Sequence, residues 1–294
     1  MERNPEVIQK GGRASEAMPL FLIHDGGGTT FAYHCLDPLD RPAYGIFNPY
    51  FRNGGRFEGG IRGMGRLYAS IIRRTCAEPD FPSPRNAADG SVDILLGGWS
   101  LGGLLSLEVA KVLAESGGGG GGSGSVRVVG ILMVDSIYPV NPPSVRMESM
   151  DHLGLGKSKN EFLTLKAMKE ALRVIQEWEP PVWEGEGHGG GGGGDDTDVS
   201  DDQQQVAPRR RRPRVSLLRA RDPIPTGSDR VHVADIYRHD PTLGWDQYDT
   251  TMFTDNTSVA GNHFEMFSFK HIPELSVAIK KYLDRLEMLG PVSH

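Results

Sequence analysis

The chain has 294 residues, 38% of them hydrophobic, and a net charge of −6; it is long enough for one large α/β domain and lacks the positive balance a nucleic-acid partner requires. No apolar run approaches the ~20 residues of a membrane span, and residues 1–17 lack the apolar stretch of a secretory signal. The two cysteines, Cys35 and Cys76, form neither a metal pattern nor a disulfide framework, so a reducing, cytoplasmic setting is expected.

Residues 1–17 show no periodicity and are expected to form a flexible arm ahead of a single domain over 18–294. Pro19–His24 is an apolar run that fits a buried strand. It ends in Asp25-Gly26-Gly27-Gly28-Thr29-Thr30, where the glycines free the backbone to present N–H groups into a cavity. Phe31–Leu39 reads as a short helix and Ala43–Phe47 as a second strand. Gly63–Cys76 carries Met64, Leu67, Ile71 and Ile72 at helical spacing, with arginines outside. Then comes the stretch on which the rest depends. Ile94-Leu95-Leu96 fits a strand, and Leu101, Leu105, Val109 and Val112 recur at helical spacing. Between them, Gly98-Trp99-Ser100-Leu101-Gly102 matches G-x-S-x-G, a strand-to-helix turn that lifts a serine hydroxyl clear of the backbone.

Residues 116–125 are a glycine/serine tract that cannot build a core. Val126–Val134 reads as a strand ending at Asp135. Residues of about 137–208 are expected to form an inserted helical lid, whose clearest helix is Glu161–Trp178; within it, 187–208 reads as a disordered polar excursion. Phe162, Leu165, Met168 and Leu172 form one face of that helix and are candidates for an acyl channel. Val215–Ala220 is a further strand, ending at Arg221-Asp222-Pro223. A strand-like run from Val259 leads to His263, and Ile272–Leu286 is a closing amphipathic helix. This alternation predicts an α/β fold with a mostly parallel central sheet and helices on both faces.

A serine needs a base to take its proton, and the base needs an acid to fix its tautomer. His263 is the histidine that follows a strand-like run and precedes the terminal helix, so it is the expected base. Two strand-end aspartates, Asp135 and Asp222, are both eligible as the acid. The strand–elbow–helix pattern resembles that of α/β-hydrolases. That likeness implies an oxyanion hole built from the N–H of Leu101 and from the Asp25–Gly26 loop.

Gly-Trp-Ser-Leu-Gly-Gly, Val-Asp-Ser-Ile-Tyr-Pro and Gly-Asn-His-Phe-Glu-Met-Phe, in that order, resemble the thioesterases of polyketide and nonribosomal peptide synthases. The His-Asp-Gly-Gly-Gly-Thr-Thr stretch is similar to that of fungal members. The resemblance covers about Leu20–Leu286, interrupted by the glycine and Asp/Gln tracts. It implies that the acid is Asp135 rather than Asp222, and that the substrate is an acyl or peptidyl chain on the phosphopantetheine arm of an acyl or peptidyl carrier protein. Release then runs through an acyl-Ser100 intermediate, by hydrolysis or cyclisation. No metal or organic cofactor is expected, and neither nucleic acid nor membrane as partner. Met1 at the start and the lack of a carrier motif favour a stand-alone enzyme. Two rival readings are a free carboxylesterase or lipase using Asp222, and a non-catalytic carrier-binding module.

Overall fold

A strand covered on both faces must be apolar at every position, since alternate side chains point to opposite sides of the sheet. Leu20–Ile23 (β2) meets that condition: all four side chains are buried. In the computed structural model, which describes residues 3–12, 17–83, 90–116, 125–139, 158–183, 211–227 and 230–292, this strand lies within a seven-stranded sheet. The other strands are β1 (Glu6–Lys10), β3 (Pro42–Ile46), β4 (Val92–Trp99), β5 (Val126–Val134), β6 (Arg214–Ala220) and β7 (Phe253–Val259), in the order β1-β3-β2-β4-β5-β6-β7. All neighbours are parallel except β1, which runs antiparallel to β3.

Among the described residues, five helices flank the sheet: α1 (Phe31–His34), α2 (Gly60–Cys76), α3 (Leu101–Ser116), α4 (Lys159–Gln176) and α5 (Ile272–Leu289). Phe21 and Ile23 of β2 join a core with α2, α3 and part of α4, whereas Leu20 and Leu22 join a second core with α5. Helices therefore cover both faces, as the alternation predicted. At α4 a full capping box starts the helix: the Ser158 hydroxyl accepts from the Glu161 N–H, and the Glu161 carboxylate accepts from the Ser158 N–H. Past its other end, Trp178 and Trp183 are buried in the α2/α3 core, and Trp178 Nε1 donates to the buried Glu108 of α3 at 2.9 Å.

Three expectations need correction. The arm expected over 1–17 contains β1, whose Glu6-Val7-Ile8-Gln9-Lys10 alternates too briefly, and is too polar, to register as a strand on its own. It is held by main-chain pairing with β3 and by Ile8 against the α5-side core. The helix expected over Phe31–Leu39 stops at His34. The last strand is Phe253–Val259, upstream of the expected run, so His263 sits on a loop after it. Residues 117–124 of the expected glycine/serine tract and, of the expected lid, 140–157 and 184–208 lie outside the described residues.

Candidate active site

The parallel register brings the strand ends together. Trp99 pairs with Val134, and Val134 with Leu218, so the residues that follow β4 and β5, Ser100 and Asp135, emerge side by side at the C-terminal edge of the sheet. Ligand sites of open α/β sheets lie at this edge. Both residues carry a strained backbone for a side chain with a Cβ, with φ of 55° at Ser100 and 46° at Asp135. Around Ser100 the turn is tight enough that a Cβ on Gly98 would come within 2.5 Å of the Gly102 carbonyl carbon. The Ser100 N–H donates to Val134 O at 2.8 Å, and Ser136 Oγ donates to Ser100 O at 2.7 Å, pinning the elbow to the Asp135 turn.

His263 follows β7 and is 6% exposed. Its Nδ1 lies 2.7 Å from Asp135 Oδ2. Burial pushes the Asp135 carboxyl up, but hydrogen bonds from Arg238 and His263 outweigh it and hold the group well below the usual carboxylate range. An ionised carboxylate only accepts, so His263 Nδ1 carries the hydrogen, and Nε2 is the acceptor whenever the imidazole is neutral. Asp222, the other eligible acid, is elsewhere: it is exposed, and its Oδ2 accepts from the Gly261 N–H at 3.0 Å. The geometry sets Asp135 against His263 and Asp222 against the Gly261 backbone.

Ser100, Asp135 and His263 share an apolar cavity of about 110 Å³ with Gly26, Leu101 and Leu104. Across it stand Met168, Ala171, Leu172 and Ile175 of α4. Two of the four expected channel residues are therefore present, Met168 and Leu172. Phe162 is exposed, and Leu165 does not line the cavity. The buried face of α4 is Ala167, Ala171 and Val174, rotated from the stripe of larger side chains that the sequence favoured. Small residues there let the helix approach the Asp25–Gly28 loop, with Ala171 Cβ 3.5 Å from where a Cβ on Gly26 would stand.

No family model matches the chain. It is 31% identical over 291 residues to the probable thioesterase BOA10 of Botryotinia fuckeliana, covering 97% of this chain and 91% of that protein. It is also 31% identical over 306 residues to part of the nonribosomal peptide synthetase imqB of Aspergillus flavus, covering 97% of this chain and 8% of that protein. The chain belongs to the thioesterases. Its α/β-hydrolase fold is shared with the NocB thioesterase domain of the nocardicin cluster, at a TM-score of 0.59 and 24% identity over 92% of this chain and 95% of that one.

Two polar residues beneath the thioesterase cavity fix its glycine loop. His24 is fully buried; its Nδ1–H donates to Asp25 O at 2.6 Å and its Nε2 accepts from the Tyr68 hydroxyl at 2.7 Å. Burial lowers its pKa to about 4, so it is neutral and structural. Asp25 is pushed up to about 6 by burial, against backbone N–H groups of the loop. The Gly28 N–H donates to Asp25 O at 3.1 Å, closing the turn, and Gly26 is the loop residue that faces the cavity. Leu101, as the first residue of α3, has an N–H with no intrahelical carbonyl to reach.

Sequence reasoning missed Arg238 and Asp235. Both are buried, and Arg238 pairs with Asp135 across 103 residues of chain. No motif marks them; the one signal was the three arginines, Arg221, Arg230 and Arg238, and two histidines, His232 and His239, in the stretch between β6 and the base.

Proposed function

We propose that this thioesterase works through a Ser100–His263–Asp135 triad and releases a chain held as a thioester on the phosphopantetheine arm of an acyl or peptidyl carrier protein. The observation that carries this reading is the 2.7 Å Asp135–His263 pair set on the same cavity as a serine at a strained elbow. Ser100 Oγ attacks the thioester carbonyl while His263 Nε2 takes its proton. The N–H groups of Leu101 and Gly26 hold the oxyanion, each worth about 3 kcal/mol of barrier. As the tetrahedral adduct collapses, the C–S bond breaks and the pantetheine sulfur leaves with the proton from His263. The acyl-Ser100 ester is then opened by water or by a nucleophile of the chain itself, with His263 again as base. The substrate brings its own phosphopantetheine, and no step calls on a metal or an organic cofactor. The apolar lining favours the hydrocarbon part of the acyl chain.

Separate replacement of the two aspartates tests the assignment. Asp135→Asn should lower kcat on an acyl-pantetheine thioester by about four orders of magnitude, as loss of the tautomer-fixing acid does elsewhere. Asp222→Asn should stay within a few-fold of wild type, and the reverse pattern would overturn the triad.

A further inference from the structure

An aspartate that only orients a histidine needs one of its oxygens for the task; Asp135 has every acceptor position filled. Its Oδ2 takes His263 at 2.7 Å and Arg238 Nη2 at 2.8 Å, while its Oδ1 takes Arg238 Nη1 at 2.6 Å and the Ala220 N–H at 2.8 Å. Arg238 is equally saturated. Its remaining N–H groups go to Ala220 O at 2.9 Å, Ala234 O at 2.9 Å and Asp235 Oδ1 at 2.8 Å. A guanidinium with all five N–H groups spoken for, and 5% exposed, is not a substrate anchor.

We infer that Arg238 is a positioning residue for the thioesterase reaction: it locks the Asp135 carboxylate and, balanced by Asp235, meters the negative charge that His263 feels. The inference rests on the triad proposed above. Its physical core is a charge count. Asp135 alone would present −1 to the imidazole. Adding Arg238 cancels that charge at close range and opposes the imidazolium that catalysis must form. Asp235, whose Oδ2 also accepts from the Ile224 N–H at 2.5 Å, restores a net −1 for the cluster at longer range. The arginine thus trades some basicity of the dyad for a carboxylate that stays ionised and cannot rotate, a task a lysine, without a planar fork, performs poorly.

Among the described residues, other groups around His263 are few. Asp25 approaches from the loop after β2. His232 stacks edge-on with Phe264, which in turn stands edge-on to the His263 ring, and Trp99 lies 5.3 Å away on the far side. Asp222 and Arg221 flank the adjoining turn and are exposed, as is Glu265. None of these changes in the variants below, so their contribution is common to all of them.

The test is the rate of Ser100 labelling by a fluorophosphonate probe, followed by intact mass from about pH 4.5 to 9, in wild type, Arg238→Gln, Arg238→Lys and Asp235→Asn. Removing a positive charge from the cluster should move the acidic limb of the profile up by about one pH unit in Arg238→Gln. Removing a negative charge should move it down by about half a unit in Asp235→Asn. Arg238→Lys should keep the limb near wild type while lowering the plateau rate, because the charge is retained and the fork is lost. A merely structural role predicts lower plateaus with an unmoved limb, or movement in one direction for both neutral variants; either result overturns the inference. If Arg238→Gln does not fold, Asp235→Asn decides alone, and a limb that stays or rises refutes it. Wild type that is not labelled at any pH removes the triad itself, a failure distinct from labelled wild type without opposed shifts.

Discussion

Ser100 and Asp135 each hold a positive φ at a strand end, and neighbouring residues must hold both backbones in place. Ser136 supplies part of that restraint for Ser100, and the Leu218 carbonyl, accepting the Asp135 N–H at 2.6 Å, does so for Asp135. Replacing Ser100 by Ala removes only a hydroxyl that lines the cavity, so turnover should fall by several orders of magnitude with the melting temperature within about 2 °C of wild type. His24 and Asp25 give a second test, in stability. The ordinary pKa of His24 is 6.5 and burial lowers it to about 4, so between these pH values the unfolded chain binds a proton the native state refuses. His24 alone thus makes stability fall as pH falls through that window. For Asp25 the ordinary 3.8 rises to about 6, so there the native state binds a proton the unfolded chain does not, and stability falls as pH rises. The two offset each other between about pH 4 and 6. Asp25→Asn should therefore acquire a stability loss on acidification of about 1.4 kcal/mol per pH unit across that window, and His24→Gln a loss on alkalinisation, both read from urea denaturation at several pH values. Equal slopes in the two variants would contradict the pairing. Ser100 and His263 were legible because a local pattern marks each. Arg238 was not, because what makes it matter is a contact with Asp135 that only the sheet register creates.

At the scale of the element, α4 shows where a one-dimensional pattern stops. Its extent was readable from spacing to within two residues, Glu161–Trp178 against the observed Lys159–Gln176. Its orientation was not: of the bulky stripe expected to line a channel, Met168 and Leu172 border the cavity while Phe162 and Leu165 do not, and the small residues Ala167 and Ala171 are buried. Close approach to the glycine loop selects small side chains there, and the larger Met168, Leu172 and Ile175 border the cavity. Val174 is 1% exposed, so Val174→Asn should cost a few kcal/mol of stability. Met168→Gln should leave the melting temperature nearly unchanged and flatten the dependence of kcat/KM on acyl length, because each lost CH₂ contact weakens binding by about 0.8 kcal/mol. A large drop in melting temperature with unchanged chain-length preference would return Met168 to the core. The edge strand β1 illustrates the complementary limit: a brief, half-exposed strand owes its form to main-chain pairing, which leaves little trace in side-chain pattern.

Across the whole molecule, the two ends of the sheet carry different work. The C-terminal edge gathers Ser100, Asp135 and His263, while near the N-terminal end of β3 the buried Arg41 ties the sheet to α5 through Asp284 at 2.5 Å and Glu287 at 2.9 Å. Arg41→Met should cost about 2 kcal/mol, less than a fully buried pair because its partners are partly exposed, and leave kcat/KM of the folded protein unchanged. The alternation of strands and helices made the parallel sheet readable from the chain, since β4, β5, β6, α3 and α5 are long and apolar enough to declare their periods, unlike β1 and β7. The claim on which the rest stands is that Ser100 carries the chain during release. The most direct measurement is the mass of the Ser100 peptide after the protein is mixed with a panel of acyl-pantetheine thioesters and quenched in acid. An added acyl group should form on Ser100 before free acid or cyclised product accumulates, and should be absent in Ser100→Ala. Turnover with an unmodified Ser100 peptide at every time point, or an acyl group found on another residue, would contradict that claim.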